Sequence, residues 1–208
     1  MIKYFVRTTN DREFNYDLEY IELVDKDYKP IDSFINQLKL ISEYDSVLLE
    51  DDLILCKDFK NKIESVIKQY PNDIINFFYN PFSYFTTHYI YSGFAWTQCT
   101  YYPKGKSLQI ANEMERLRDK YPRLQYDLLE GRALESLNLR HLIYRPCLVQ
   151  HIDNKSLIQK NIKLGYRRTI YFQDYLDELE IDYNEAHKKE NRQRMQGLLQ
   201  KQFSDRGE

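Results

Sequence analysis

The sequence predicts an α/β fold: one domain with a central, mostly parallel sheet, followed by a helical C-terminal tail. Three observations carry this. The first fifty residues read strand, strand, helix, strand, the rhythm of a parallel α/β sheet. The apolar run Val47-Leu48-Leu49 stops at three consecutive acids, Glu50-Asp51-Asp52, as a strand buried on both faces does when it ends in polar surroundings. Beyond Ser156 the composition shifts to charged segments with helical spacing. These shifts place the domain at residues 1–165 and the tail at residues 166–208.

The elements follow in order. Ile2 to Val6 is a short apolar strand closed by the polar stretch Arg7-Thr8-Thr9-Asn10-Asp11-Arg12. Arg at a strand end forks onto phosphate bidentately, while Asn-Asp also makes a plain strand-to-loop turn. Tyr20 to Val24 is a second strand ending at Asp25, and Pro30-Ile31-Asp32-Ser33 starts a helix with Phe34, Leu38 and Ile41 on one face. Phe59, Ile63, Val66 and Ile67 define a second helix, and Ile74 to Tyr79 an apolar strand broken at Asn80-Pro81. A polar-aromatic loop over 82–91 leads to a strand expected within 93–102. After the Pro103-Lys104-Gly105 turn, Leu108, Ile110, Ala111, Met114 and Leu117 mark a helix over 106–120. Another helix runs from Tyr126 to about Leu139, and Leu142 to His151 is extended. Helices over 171–179 and 184–202 complete the chain. The last carries Lys188, Lys189, Arg192, Arg194 and Lys201, and reads as a solvated helix or as a surface for a polyanion or partner helix.

Composition narrows the function classes. Of the 208 residues 42% are hydrophobic and 30% charged, a globular balance. A formal net charge of −2 gives no global attraction to nucleic acid or membrane. No apolar run approaches the roughly 20 residues a transmembrane helix needs, and Met1 to Arg7 lacks the pattern of a secretory signal. Three widely spaced cysteines, Cys56, Cys99 and Cys147, suit neither a disulfide framework nor a zinc knuckle. A reducing, cytoplasmic setting is expected. Heavy use of Ile, Asn, Lys and Tyr points to an AT-rich genome.

The acid trio is the chemically pointed feature. Three carboxylates at the tip of a buried strand repel one another, and a hard divalent cation, Mg²⁺ or Mn²⁺, removes that cost. Ligands of open α/β sheets gather at the carboxyl ends of the strands, where this trio falls. The alternative is an acidic loop with its charges in water.

Leu48-Leu49-Glu50-Asp51-Asp52, Phe59, Tyr101-Tyr102-Pro103-Lys104, Tyr126-Asp127, and Pro146-Cys147-Leu148-Val149-Gln150-His151 with Ser156 shortly after, form an ordered set. In this order the chain resembles the compact GT-A glycosyltransferases, above all the lipopolysaccharide-type (family 25) galactosyltransferases and the branching N-acetylglucosaminyltransferases. In those enzymes an L-E-D-D strand end carries the metal motif, and a P-x-L-x-Q-H segment followed by serine lies near the end of the fold. The likeness spans about residues 2–158, with a shorter N-terminal half and no counterpart to the chain after about residue 165.

The resemblance implies a metal-dependent transfer of a sugar from a nucleotide-sugar donor, a UDP-sugar above all, to an acceptor hydroxyl; a glycan, a protein and modified bases of viral DNA are all compatible with the chain as acceptors. It implies Mn²⁺ or Mg²⁺ at Glu50, Asp51 and Asp52, with His151 either a further ligand or a hydrogen-bonded strand-end histidine. Arg7, Thr8 and Arg12 are then expected on the nucleoside and phosphate side, with Lys155 and Ser156 at the diphosphate. Asp127 is the candidate base and Glu130, one turn on, the reserve; an acid at a helix start also serves the helix dipole. Trp96, Tyr101 and Tyr102 either stack on an acceptor sugar or base, or fill the core. Two other classes fit the acid trio: a two-cation nuclease or phosphotransferase, which needs further acids such as Asp25, and an inert GT-A-like binding domain.

Overall fold

The structure, a computed structural model, describes residues 1–9, 13–25, 29–79, 87–90, 96–152 and 168–204. Its centre is a seven-stranded sheet in the order β2 (Ile21–Val24), β1 (Ile2–Thr8), β3 (Asp45–Glu50), β7 (Cys99–Tyr102), β5 (Ile74–Asn76), β8 (His141–Ile143), β6 (His88–Ile90). A separate two-stranded sheet pairs β4 (Leu53–Leu55) with β9 (Val149–His151).

The mixed α/β class stands, but the sheet is less parallel than the alternation of elements implies. β1 is parallel to β2 and β3, and β5 to β8, whereas β7 is antiparallel to both β3 and β5, and β6 to β8. β7 runs against both its neighbours in the middle of the sheet, between the parallel set β2-β1-β3 and the parallel pair β5-β8. Strand direction is a property of the long-range path and leaves no mark on hydrophobic period.

Alternation along each strand divides the side chains between two cores. Phe5, Leu48 and Tyr102 face α1 (Pro30–Leu40), α3 (Lys106–Arg118) and α4 (Tyr126–Ser136), where Phe34, Leu38, Ile110, Met114, Leu129 and Leu134 bury their apolar stripes. Tyr4, Val6, Val47, Leu49, Tyr101 and Leu142 face the other side, covered by α2 (Phe59–Gln69), α5 (Gln173–Glu178) and α6 (Lys189–Ser204). Burying each large apolar side chain contributes about 2 kcal/mol, and the two-sided burial explains why Val47 to Leu49 is a continuous apolar run.

The C-terminal helices share that second core. Tyr175, Leu176, Met195 and Leu199 pack in one cluster with Val6, Val47 and Phe77. The boundary expected at residue 165 lies outside the described residues. Just beyond it, the buried amide of Gln150 donates to the Thr169 carbonyl at 2.8 Å and accepts from the Thr169 N–H at 3.0 Å, as a backbone partner would. The Cys147 N–H donates to the Tyr171 carbonyl at 2.7 Å and its carbonyl accepts from the Gln173 N–H at 2.9 Å. Gln150 of the P-x-L-x-Q-H segment therefore ties the C-terminal segment to β9.

Local chemistry sets the element ends. Pro30 opens α1, where its missing N–H costs nothing. Gly105 precedes α3 at φ +79°, a backbone state glycine adopts freely. After α4, Asn138 stands at φ +52°, its N–H bonded to the Glu135 carbonyl and the Leu139 N–H to the Leu134 carbonyl, a Schellman stop. The same closure follows α5, with Glu180 at φ +52°.

Candidate metal centre

β3 delivers Glu50 to the carboxyl end of the sheet, in register with Arg7 of β1. The chain then turns through Asp51 and Asp52 into β4, whose first residue, Leu53, pairs with His151 of β9. Asp52 is held from the backbone as well, its carbonyl accepting from the Ile152 N–H at 2.8 Å. Two segments almost a hundred residues apart are thereby brought to one point.

There Glu50, Asp52 and His151 each offer a ligand atom, and these atoms lie within 4.8 Å of one another. His151 Nε2 is 3.4 Å from Asp52 Oδ2, with the two side chains 1% and 6% exposed. Two carboxylates and an imidazole, two of the three groups sealed from water, make a mixed oxygen and nitrogen donor set that could hold a divalent metal ion. Among the described residues this is the group of acids, histidines and cysteines close enough to share an ion. Asp51 stands outside it and lines an adjoining cavity of about 570 Å³ with Asp52, Phe14, Tyr16, Lys57 and Ile152.

Glu50 is oriented by a second layer. Its Oε1 accepts from Thr97 Oγ1 at 3.1 Å and from the Tyr126 hydroxyl at 3.0 Å, and lies 3.5 Å from an Arg7 guanidinium nitrogen. Arg7 in turn sits 4.6 Å from the ring centres of both Phe34 and Tyr126, and its Nε donates to Gln37 Oε1 at 2.7 Å. The guanidinium expected at a nucleotide phosphate is thus spent inside the protein, compensating Glu50. Arg7 is registered beside Glu50 on a parallel neighbour and points to the same face, which is why the pair forms. The arginine neutralises one carboxylate without removing Asp52 or His151 from the cluster.

Asp127 follows Tyr126 at the start of α4 and comes close enough to Glu50 for their charges to interact. Its carboxylate accepts from the Leu128 N–H at 2.8 Å. Burial pushes its pKa up, the backbone N–H groups of Leu128 and Trp96 pull it down, and the Glu50 charge raises it. Trp96, half-buried at φ +86°, holds the turn before β7, its carbonyl accepting from Asn76 Nδ2 at 2.9 Å and its ring packing edge-on against Phe78 at 6.1 Å.

Three other expected site residues are core residues. Tyr101 and Tyr102 are 1% and 0% exposed and face opposite cores, so neither ring offers a stacking surface. Neighbours on a strand point to opposite faces, so the pair could not share a ligand. Glu130 is also 0% exposed, its Oε1 accepting from the Tyr102 hydroxyl at 2.7 Å. Burial drives its pKa up to about 8, with the Tyr102 hydrogen bond opposing and the Asp127 charge assisting. Thr8 is buried at the end of β1, its carbonyl accepting from the Asp25 N–H at 2.8 Å. Arg12, Lys155 and Ser156 lie outside the described residues.

Gln37, Thr97 and Tyr126, which complete the Glu50 network, carry no sequence signal of their own; only the position of Tyr126 beside Asp127 hints at it. No helix among the described residues is long and apolar enough to cross a membrane. Compared with family models, curated proteins and solved structures, the chain matches none.

Proposed function

We propose that this chain is a metal-dependent glycosyltransferase of the GT-A kind, moving a sugar from a nucleotide-sugar donor, a UDP-sugar above all, to an acceptor hydroxyl of a glycan or of a modified DNA base. The observation that carries the reading is the convergence of Glu50, Asp52 and His151 at the tip of β3, with ligand atoms within 4.8 Å. The order of the sequence motifs supports it, because the acid turn and the Gln150-His151 segment of the resemblance meet as β4 and β9.

Asp52 and His151 hold Mn²⁺ or Mg²⁺, with Glu50 beside them. Such an ion supplies neutralising charge to a leaving diphosphate. Arg7 keeps Glu50 from adding a second uncompensated charge to the site, and Thr97 and Tyr126 fix the direction of its carboxylate. Asp127 takes the proton of the acceptor hydroxyl; partial burial makes it a stronger base than a surface carboxylate.

The test is donor turnover. Incubated with a panel of UDP- and GDP-sugars and Mn²⁺, the protein is expected to release nucleotide from at least one donor, and Asp52→Ala to abolish that release. Turnover unchanged in Asp52→Ala removes the metal assignment. Failure of every donor, combined with nicking of plasmid DNA under Mg²⁺ or Mn²⁺, moves the same acids to phosphodiester chemistry.

A further inference from the structure

The turn that carries Glu50 and Asp52 is closed by a residue from a distant segment. Tyr16 lies between β1 and β2, 7% exposed, its ring 5.5 Å from that of Phe14 and 6.1 Å from that of Tyr20. Its hydroxyl donates to the Glu50 carbonyl at 2.6 Å and accepts from the Leu53 N–H at 3.1 Å. One oxygen therefore bridges the residues on either side of Asp51-Asp52, a span a reverse turn would ordinarily close through its own backbone. On the opposite side, Leu53 is paired with His151 and the Asp52 carbonyl with the Ile152 N–H. The turn is clamped by β9 on one side and by a single phenol on the other.

We propose that Tyr16 is the positioning residue of this turn: its hydroxyl fixes the spacing between Glu50 and Asp52 and the approach of Asp52 to His151, and so sets the affinity of the site for a divalent cation. The role rests on the metal reading above. It is a geometric role, for the hydroxyl hydrogen-bonds the backbone on both sides of the acids. Outer-layer groups that orient ligands typically change metal affinity by about 10–100-fold when removed.

Tyr16→Phe keeps the aromatic packing and deletes both hydrogen bonds. Mn²⁺ binding to the full chain, titrated by electron paramagnetic resonance, is compared for wild type, Tyr16→Phe and Tyr20→Phe, with amide exchange at Leu53 followed in each. The expected result is about 10-fold weaker Mn²⁺ binding in Tyr16→Phe alone, with faster exchange at Leu53 and unchanged circular dichroism. Equal affinity in wild type and Tyr16→Phe overturns the proposal and leaves the metal site standing. Equal weakening in Tyr20→Phe, which retains the Tyr16 hydroxyl, overturns it too by showing that the loss does not depend on the two Tyr16 hydrogen bonds. Absence of saturable Mn²⁺ binding by the wild type overturns the metal reading itself, and the role of Tyr16 with it.

Discussion

Replacing Glu130 by Gln tests whether this core accepts a carboxyl only in its neutral form. The carboxyl, carried by α4, is fully buried; Oε1 accepts from Tyr102, and Oε2 has no hydrogen-bond partner among the described residues. Burial raises its pKa from an ordinary 4.5 to about 8. Because the folded value is the higher one, the associated stability is fully present below pH 4.5 and is lost as pH rises toward 8. At about 1.4 kcal/mol per pH unit, the loss reaches about 3 kcal/mol by pH 7. Gln keeps an oxygen for the Tyr102 hydroxyl and cannot ionise, so its stability escapes this slope. Urea unfolding of both proteins at pH 5, 6, 7 and 8 measures the difference directly. The advantage of Glu130→Gln is expected to grow by about 3 kcal/mol between pH 5 and pH 7 and to level off above pH 8. In melting temperature that corresponds to roughly 6–12 °C. A difference that stays constant with pH would refute the reasoning, because a carboxyl that ionises at the same pH folded and unfolded contributes no slope.

Arg7→Leu should destabilise the fold by about 3 kcal/mol in chemical denaturation, since it leaves Glu50 charged and nearly buried without its cation; a loss under about 0.5 kcal/mol would show the pair to be screened. Glu180→Gly should raise stability by about 1 kcal/mol, because Glu180 occupies φ +52° at the stop of α5 and glycine adopts that state without strain. Asn138→Ala, at the equivalent stop of α4, should cost about 1 kcal/mol, read as a lower urea midpoint at unchanged slope. Asp127→Asn should lower sugar transfer by about 10²–10⁴-fold while leaving donor binding by calorimetry unchanged; loss of both would recast Asp127 as a structural residue.

What the residues announced on their own is the local order: the apolar runs that became β1, β3, β5 and the helices, the helix starts at Pro30 and Gly105, and an acid cluster at the end of a buried strand. These follow from side-chain period and backbone freedom, which act over a few residues. The strand expected within 93–102 is confined in the described part to Cys99–Tyr102, and the single extended stretch from Leu142 to His151 is two strands in different sheets. His88–Ile90, expected in a loop, pairs with β8 as an edge strand because neighbouring backbone needs its hydrogen bonds.

Partnership was decided only by the tertiary structure. Arg7 and Glu50 looked like two separate ligand-facing groups, and parallel pairing of β1 with β3 made them a compensated pair. Tyr101 and Tyr102 read either as a stacking platform or as core, and burial on both faces of the sheet put them into two cores. His151 met Asp52 through the two-stranded pairing of β4 with β9. A carboxylate, a phenol and a guanidinium carry the same symbols in sequence whether they face water, a core or one another. Which of these they face is fixed by strand direction and register, interactions between residues far apart in the chain.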